Sequence, residues 1–189
     1  MLHYMFLFFW TQFSAPALAD DWQQAEYVRL SDEIHMLAKR QSWSGVERLY
    51  RACKNLDVEI NADEHLLAAH SAQASGDIKR TRERLLLVAQ AREDRSAMDW
   101  LWSIDTQYKE VHLVTDSGQT LQSLQVSLHP IASQAMKFAQ EQILTNGLFS
   151  GYLPVGEYQL GHTSFHINEG YGKLRVDTRA DSGMPLAHK

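Results

Sequence analysis

The sequence is short of the residues that usually announce a chemistry. Cysteine occurs once in 189 residues. No internal disulfide can therefore form, and no thiolate cluster can hold a metal. Four prolines are present, and none falls between Trp22 and Tyr108. Basic blocks are missing: 18 Lys and Arg stand against 23 Asp and Glu, for a net charge of −5. That balance argues against nucleic acid as a partner, because phosphate binding needs a clustered positive surface. Acidic runs of the kind that mark disordered tails are missing too. Beyond residue 19 the longest apolar run is Leu85-Leu86-Leu87-Val88-Ala89, far short of the roughly 20 residues that span a bilayer. There is no Gly-x-Ser-x-Gly, no phosphate-binding loop, no His-Glu-x-x-His and no Cys pair. What remains is 44% hydrophobic and 22% charged, the balance of a globular chain.

The N-terminus is the exception to the shortage of apolar runs. Tyr4 to Trp10 is unbroken, and Ala17-Leu18-Ala19 has the small-x-small form at which signal peptidase cuts. Residues 1–19 read as a cleavable signal peptide, with Asp20 opening the exported chain. No Lys or Arg precedes the apolar run, which is atypical.

From residue 20 to 108 the apolar residues recur at helical spacing. Five helices are predicted: Asp21–Arg40, Trp43–Asn55, a third capped by Asn61 or Asp63, Ile78–Arg92 and Ser96–Tyr108. Ser96 with Asp99 has the form of a capping box. The expected inward faces are Tyr27, Leu30, Ile34 and Leu37; then Val46, Leu49, Tyr50 and Cys53; then Leu66, Ala69 and Ala72; then Thr81, Leu85 and Val88; then Trp100, Leu101 and Ile104. Val46-Tyr50-Cys53 and Thr81-Leu85-Val88 share spacings of four and three and lie 35 residues apart. Ile34-Leu37 and Ala69-Ala72 repeat at the same interval, and Gly76-Asp77 supplies a turn. This pattern resembles degenerate tetratricopeptide repeats. It departs from them in lacking the early Trp and in having Val58 and Glu93 where the closing Pro stands. The resemblance implies stacked helical hairpins that need neighbours to cover their apolar faces.

At Tyr108 the periodicity changes to alternation. Val111, Leu113 and Thr115 read as one strand, and Leu124, Val126 and Leu128 as a second. A helix over 131–146 is closed by Asn146-Gly147. Strands follow around Phe149–Leu153, Tyr158–Leu160, Thr163–Ile167 and Leu174–Thr178. The run Leu153-Pro154-Val155-Gly156-Glu157-Tyr158 resembles the hairpin of transthyretin-like or carboxypeptidase-regulatory-like β-sandwich modules. That resemblance implies a spacer or adhesion element, and it speaks to fold and not to activity. The predicted fold is α+β in two modules. Antiparallel helical hairpins occupy 20–108. A small antiparallel β-sandwich with one inserted helix occupies 109–178, and residues 179–189 form a polar tail.

Candidate sites are sparse. His162 and His166 share a strand face but lie about 13 Å apart at 3.3 Å per residue, too far to chelate one ion. His65 and His70 are five apart on a helix and diverge. Adjacent carboxylates such as Asp32-Glu33 diverge as well. Cys53 reads as a small buried side chain. No metal, cofactor or catalytic residue is assigned. Arg80, Arg82, Arg84 and Arg92 give the fourth helix a basic side that reads either as a solvated face or as a patch for acidic partners. Trp100 and Trp102 read first as packing between modules and second as an exposed partner site. The candidate partner-binding set is Arg80, Arg84, Trp100 and Trp102. The expected function is that of an exported, non-enzymatic interaction or scaffold module of the cell envelope, in periplasm or outside, whose partner is another protein or a peptide. Once the signal is cut, no stable membrane insertion is expected. A cell-wall hydrolase with its site at the module junction, or a structural envelope subunit, are the alternatives.

Overall fold

The structure is a computed structural model and describes residues 17–125, 127–170 and 172–179. Most of the predicted signal peptide, residues 1–16, and the tail from 180 lie outside the described residues. Five helices open the chain: α1 (Ala17–Lys39), α2 (Trp43–Cys53), α3 (Ala62–Ser75), α4 (Ile78–Ala91) and α5 (Arg95–Gln107). Strands β1 (Tyr108–Val114) and β2 (Leu121–Ser123), helix α6 (Pro130–Asn146), and strands β3 (Leu148–Pro154), β4 (Gly156–Leu160), β5 (Thr163–Ile167) and β6 (Leu174–Asp177) follow. The chain is thus α+β, helices first.

The two helical hairpins turn alike, bond for bond. In the first turn the Gln41 N–H donates to Ala38 O, Ser42 to Leu37 O and Trp43 to Gln41 O; in the second, Gly76 donates to Gln73 O, Asp77 to Ala72 O and Ile78 to Gly76 O. Each pair lies 35 residues apart. Both turns use a left-handed residue, Gln41 at φ 54° and Gly76 at φ 84°, which satisfies the last carbonyls of the preceding helix. Val46, Tyr50 and Cys53 are buried, as are Thr81, Leu85 and Val88. Ile34, Ala69 and Ile104, at the same interval, are buried on α1, α3 and α5. Each helix thus points the same position of the interval inward. The third interval breaks off where the chain leaves α5 directly into β1.

Why one turn has Gly and the other Gln is explained by α6. A Cβ at position 76 would stand 2.7 Å from the carbonyl carbon of Gln134 and 2.9 Å from Cβ of Phe138. Only glycine allows α6 to come this close. Gln41 is exposed and holds its side chain in the left-handed region at a modest strain.

Three helix details differ from the sequence reading. Asp94, not Ser96, caps α5: its carboxylate accepts from the Ala97 N–H at 3.0 Å. Asn61 sits at the start of α3 but makes no side-chain cap bond; its backbone N–H donates to Tyr27 Oη at 2.9 Å instead. Asp63 is already within the first turn of α3.

The β half forms two three-stranded sheets, ordered β3-β1-β6 and β2-β4-β5. All pairs are antiparallel except β1–β6, which is parallel, with Val111 opposite Leu174. The wholly antiparallel module expected from sequence is therefore corrected at that pair. The second strand is also displaced. Leu121 pairs with Leu160 and Ser123 with Tyr158; the Leu124 N–H still donates to Glu157 O at 2.9 Å, but its side chain is exposed. Val126 lies outside the described residues, and Leu128 packs only at the margin of the core. Both sheets and α6 close on one core: Val111, Leu113, Phe149 and Leu153 from the first sheet, Leu121, Tyr158, Leu160 and Ile167 from the second, and Met136, Ala139 and Ile143 from α6. The Leu153–Tyr158 run forms a corner in which the buried Tyr158 hydroxyl donates back to Pro154 O at 2.6 Å. That bond explains a tyrosine at this position, since a buried hydroxyl needs a partner.

The halves are joined by a shared core. Ala135 of α6 is buried with Ala69, Ile78, Leu85 and Ile104, and Ile131, Tyr108 and Tyr152 pack beside them. The inserted helix thus bridges the halves together with α5, whose Ala97, Leu101 and Ile104 lie in the same core; the sequence reading expected the bridge from α5 alone.

Candidate functional site

The seam between α3 and α6 carries an open trough. Its wide end is a groove of about 910 Å³ walled by the outer face of α2, the last turn of α3 and Phe138 of α6. Trp43, Glu47, Arg48, Arg51, Ser75 and Arg80 line it. Trp43 and Ala74 also border a second depression, against Pro130, Ile131 and Gln134. Gln73 and Ile131 continue into a third, of about 370 Å³, with Trp100, Ser103, Tyr108 and His129. The three adjoin through these shared residues.

An aromatic stack stands along this line. His70 of α3 lies stacked beside Trp43, with ring centroids 5.9 Å apart, and against Trp100 at 4.7 Å. Burial between the two indoles holds the His70 imidazole below the usual histidine range. The ring is then neutral at neutral pH and packs as an aromatic surface.

Charge is concentrated at the wide end. Arg48, Arg51 and Arg80 line it with one carboxylate, Glu47. Glu47 is already engaged. Arg84 Nη1 and Nη2 reach its two oxygens at 2.6 and 3.0 Å, and Arg51 Nε lies 2.9 Å away. Burial raises the Glu47 carboxyl, but hydrogen bonding and charge from Arg84, then from Arg51, outweigh it and hold the group below the usual carboxylate range.

The four residues singled out in the sequence part company here. Arg84 is buried: it pairs with Glu47, donates to Ala68 O at 2.6 Å and lies over the Tyr50 ring at 4.7 Å. It ties α4 to α2 and α3 and is not offered to a partner. Arg80 is exposed at the rim of the wide end, 3.3 Å from Asp77. Trp100 lines the narrow end, half-buried. Trp102 is 71% exposed on the far side of α5, so the packing role expected of it does not hold. Arg82 pairs with Asp105 at 2.6 Å and Arg92 with Asp63 at 2.6 Å. The supposed basic side of α4 is therefore spent on ion pairs.

The sequence reading missed Trp43, Arg48, Arg51 and Phe138. Trp43, Glu47 and Arg51 do recur at intervals of four on α2, a stripe flanking the buried face. Phe138 could not be joined to it without knowing where α6 docks.

Histidine and serine also meet a carboxylate under α1. Glu64, buried at the start of α3, accepts from Tyr27 Oη at 3.1 Å and from Ser31 Oγ, and His35 Nε2 lies 3.4 Å away. In a nucleophilic triad the imidazole stands between serine and carboxylate. Here the carboxylate stands between the other two, so His35 cannot take the Ser31 proton. His65 Nδ1 bonds Tyr50 Oη at 2.8 Å, and His70 faces away into the trough. His162 lies in the turn before β5, and His166 sits 4.0 Å from Glu157. Among the described residues no three His, Cys, Asp or Glu side chains converge on one point, and no helix is long and apolar enough to cross a membrane.

Searches for similar proteins give no match to any family model, to any curated protein or to any solved structure.

Proposed function

We propose that the chain is an exported, non-catalytic interaction module that receives a segment of another protein in the trough between its helical hairpins and α6. The observation that carries this reading is the trough itself. It is open, about 910 Å³ at its wide end, and lined by Trp43, Phe138 and three arginines. Tryptophan and arginine are the side chains most enriched where proteins bind one another. The matching turns at Gln41 and Gly76 support the tetratricopeptide-like reading of the helical half, and such hairpins serve as frames for extended ligands. The apolar N-terminal run with Ala17-Leu18-Ala19 supports export.

A site-placed photocrosslinker tests it. With the reactive residue at Ala74, in the trough, a defined adduct band is expected in envelope fractions. With it at Ser150, on an exposed strand position of the β half, none is expected. Equal adducts from both positions, or none from Ala74, would remove the trough from consideration.

A further inference from the structure

The charge of the trough is confined to one end. Arg48, Arg51 and Arg80 stand at the wide end. The two depressions beyond it are lined by Gln73, Gln134, Ser103, Gln107, aromatic and apolar side chains, with no Lys, Arg, Asp or Glu. The chain as a whole is acidic, at −5, so the wide end reverses the sign of the molecule locally. Glu47 does not cancel this, because buried Arg84 already takes both of its oxygens. Arg48 is exposed and has no acidic partner among the described residues. Arg51 already contacts Glu47 at 2.9 Å, and Arg80 lies 3.3 Å from Asp77. Arg48, Arg51, Arg80 and Arg84 together outnumber those two carboxylates, so this end stays positive, and the free fork of Arg48 is a group that binds carboxylates.

We infer that the trough takes a peptide whose one end is acidic and whose other end is uncharged and apolar. Its carboxylates lie on Arg48, Arg51 and Arg80, and a large apolar side chain enters between Trp43 and Phe138. This rests on the trough being the binding site and adds the class of its ligand. A polyanion fits the page less well. A phosphate or sulfate chain needs a basic track along its whole length, and the track here stops at Trp43. A peptide of mixed character uses both ends. The neutral end suits apolar side chains and backbone groups that hydrogen-bond to Gln73, Ser103 and Gln107.

The test uses two fluorescent peptides and the purified chain. One peptide carries three glutamates followed by an apolar half containing leucine and tryptophan. The other has lysine for each glutamate. Saturable binding of the acidic peptide is expected, at least about tenfold tighter than that of the lysine peptide at low salt, with the gap closing at high salt. Arg48→Glu, at an exposed position, should leave the circular dichroism unchanged and weaken the acidic peptide roughly fivefold or more. Equal binding of both peptides, unaffected by Arg48→Glu but abolished by blocking Ala74, would overturn the acidic ligand class and leave the trough as the site. No binding of either peptide, with no adduct from Ala74, would overturn both. A sulfated oligosaccharide that displaces the acidic peptide at lower concentration and depends on Arg48 would overturn the peptide assignment.

Discussion

Gly76→Ala tests how the two halves of the molecule are held. At φ 84° any Cβ is strained, at a cost of about 1–2 kcal/mol. The new methyl would also stand 2.7 Å from the Gln134 carbonyl carbon and 2.9 Å from Phe138 Cβ. Comfortable carbon contacts begin near 3.5 Å, so α6 must retreat by roughly 1 Å. Retreat loosens Ala135 and Ile131 from the shared core and adds about 1–2 kcal/mol. The total is about 3 kcal/mol, or a fall in Tm of about 6–12 °C for a chain of this size. Position 41 supplies the control, because its turn makes the same hydrogen bonds at an exposed residue. Gln41→Gly should change stability by no more than about 1 kcal/mol, relief of strain being offset by added chain entropy. Urea unfolding followed by far-ultraviolet circular dichroism reads both. A loss at position 76 of only about 1 kcal/mol would refute the close approach of α6, since backbone strain alone would then account for it.

Further outcomes are expected at the Arg84–Glu47 pair, at Tyr158 and at Cys53. Arg84→Met leaves the partly buried Glu47 carboxylate without its main partner and should cost about 3 kcal/mol, while Arg84→Met with Glu47→Met should recover most of it. The Glu47 carboxyl is depressed in the folded state, so its stabilisation is present above the unfolded carboxyl range near 4.5 and is lost as pH falls through the lowered folded value; urea titrations from pH 6 to 3 should show a drop that is shallower in Glu47→Gln. Tyr158→Phe deletes the donor to Pro154 O and should cost about 1–2 kcal/mol. Burial drives the Tyr158 hydroxyl far above the usual tyrosine range, so no ionisation of this residue is expected in ultraviolet titration until the protein unfolds. Cys53 is buried, and burial, then the nearby Glu64, pushes its thiol up; thiol reagents should label it only after denaturation.

What could be read from sequence was what depends on periodicity. Helices α2, α4 and α5 lie within about two residues of their expected spans, and α1 starts four residues before Asp21; each keeps an apolar stripe over several turns. The last four strands are legible for the same reason, bounded by Gly147, Gly156, Gly161 and Gly172. Alternation misled at Leu124-Val126-Leu128. Leu121 offers the same inward leucine three residues earlier, and pairing with Leu160 decides between them. Such a register choice is made by the partner strand, not by the segment itself. Arg84 was unreadable for a related reason. On α4 it sits between Glu83 and Leu85 and looks like one more surface charge; its partners are Glu47 and Tyr50 on another helix. The trough was beyond reach because its walls come from α2, α3, α5 and α6, which meet only in the folded chain. Single residues such as Ser31 and Glu64 meet across helices in the same way.

The parallel pairing of β6 with β1 has a consequence for assembly. Thr178, just past β6, bonds Thr115, just past β1, across 63 residues of chain. During synthesis β1 therefore waits with one hydrogen-bonding edge bare until β6 has emerged, although β3 can already cover the other edge. A naked edge invites pairing with a neighbouring molecule. The stretch between the emergence of β3 and that of β6 is thus the interval in which a holding factor, or slow delivery of the chain, matters most to the yield of native protein.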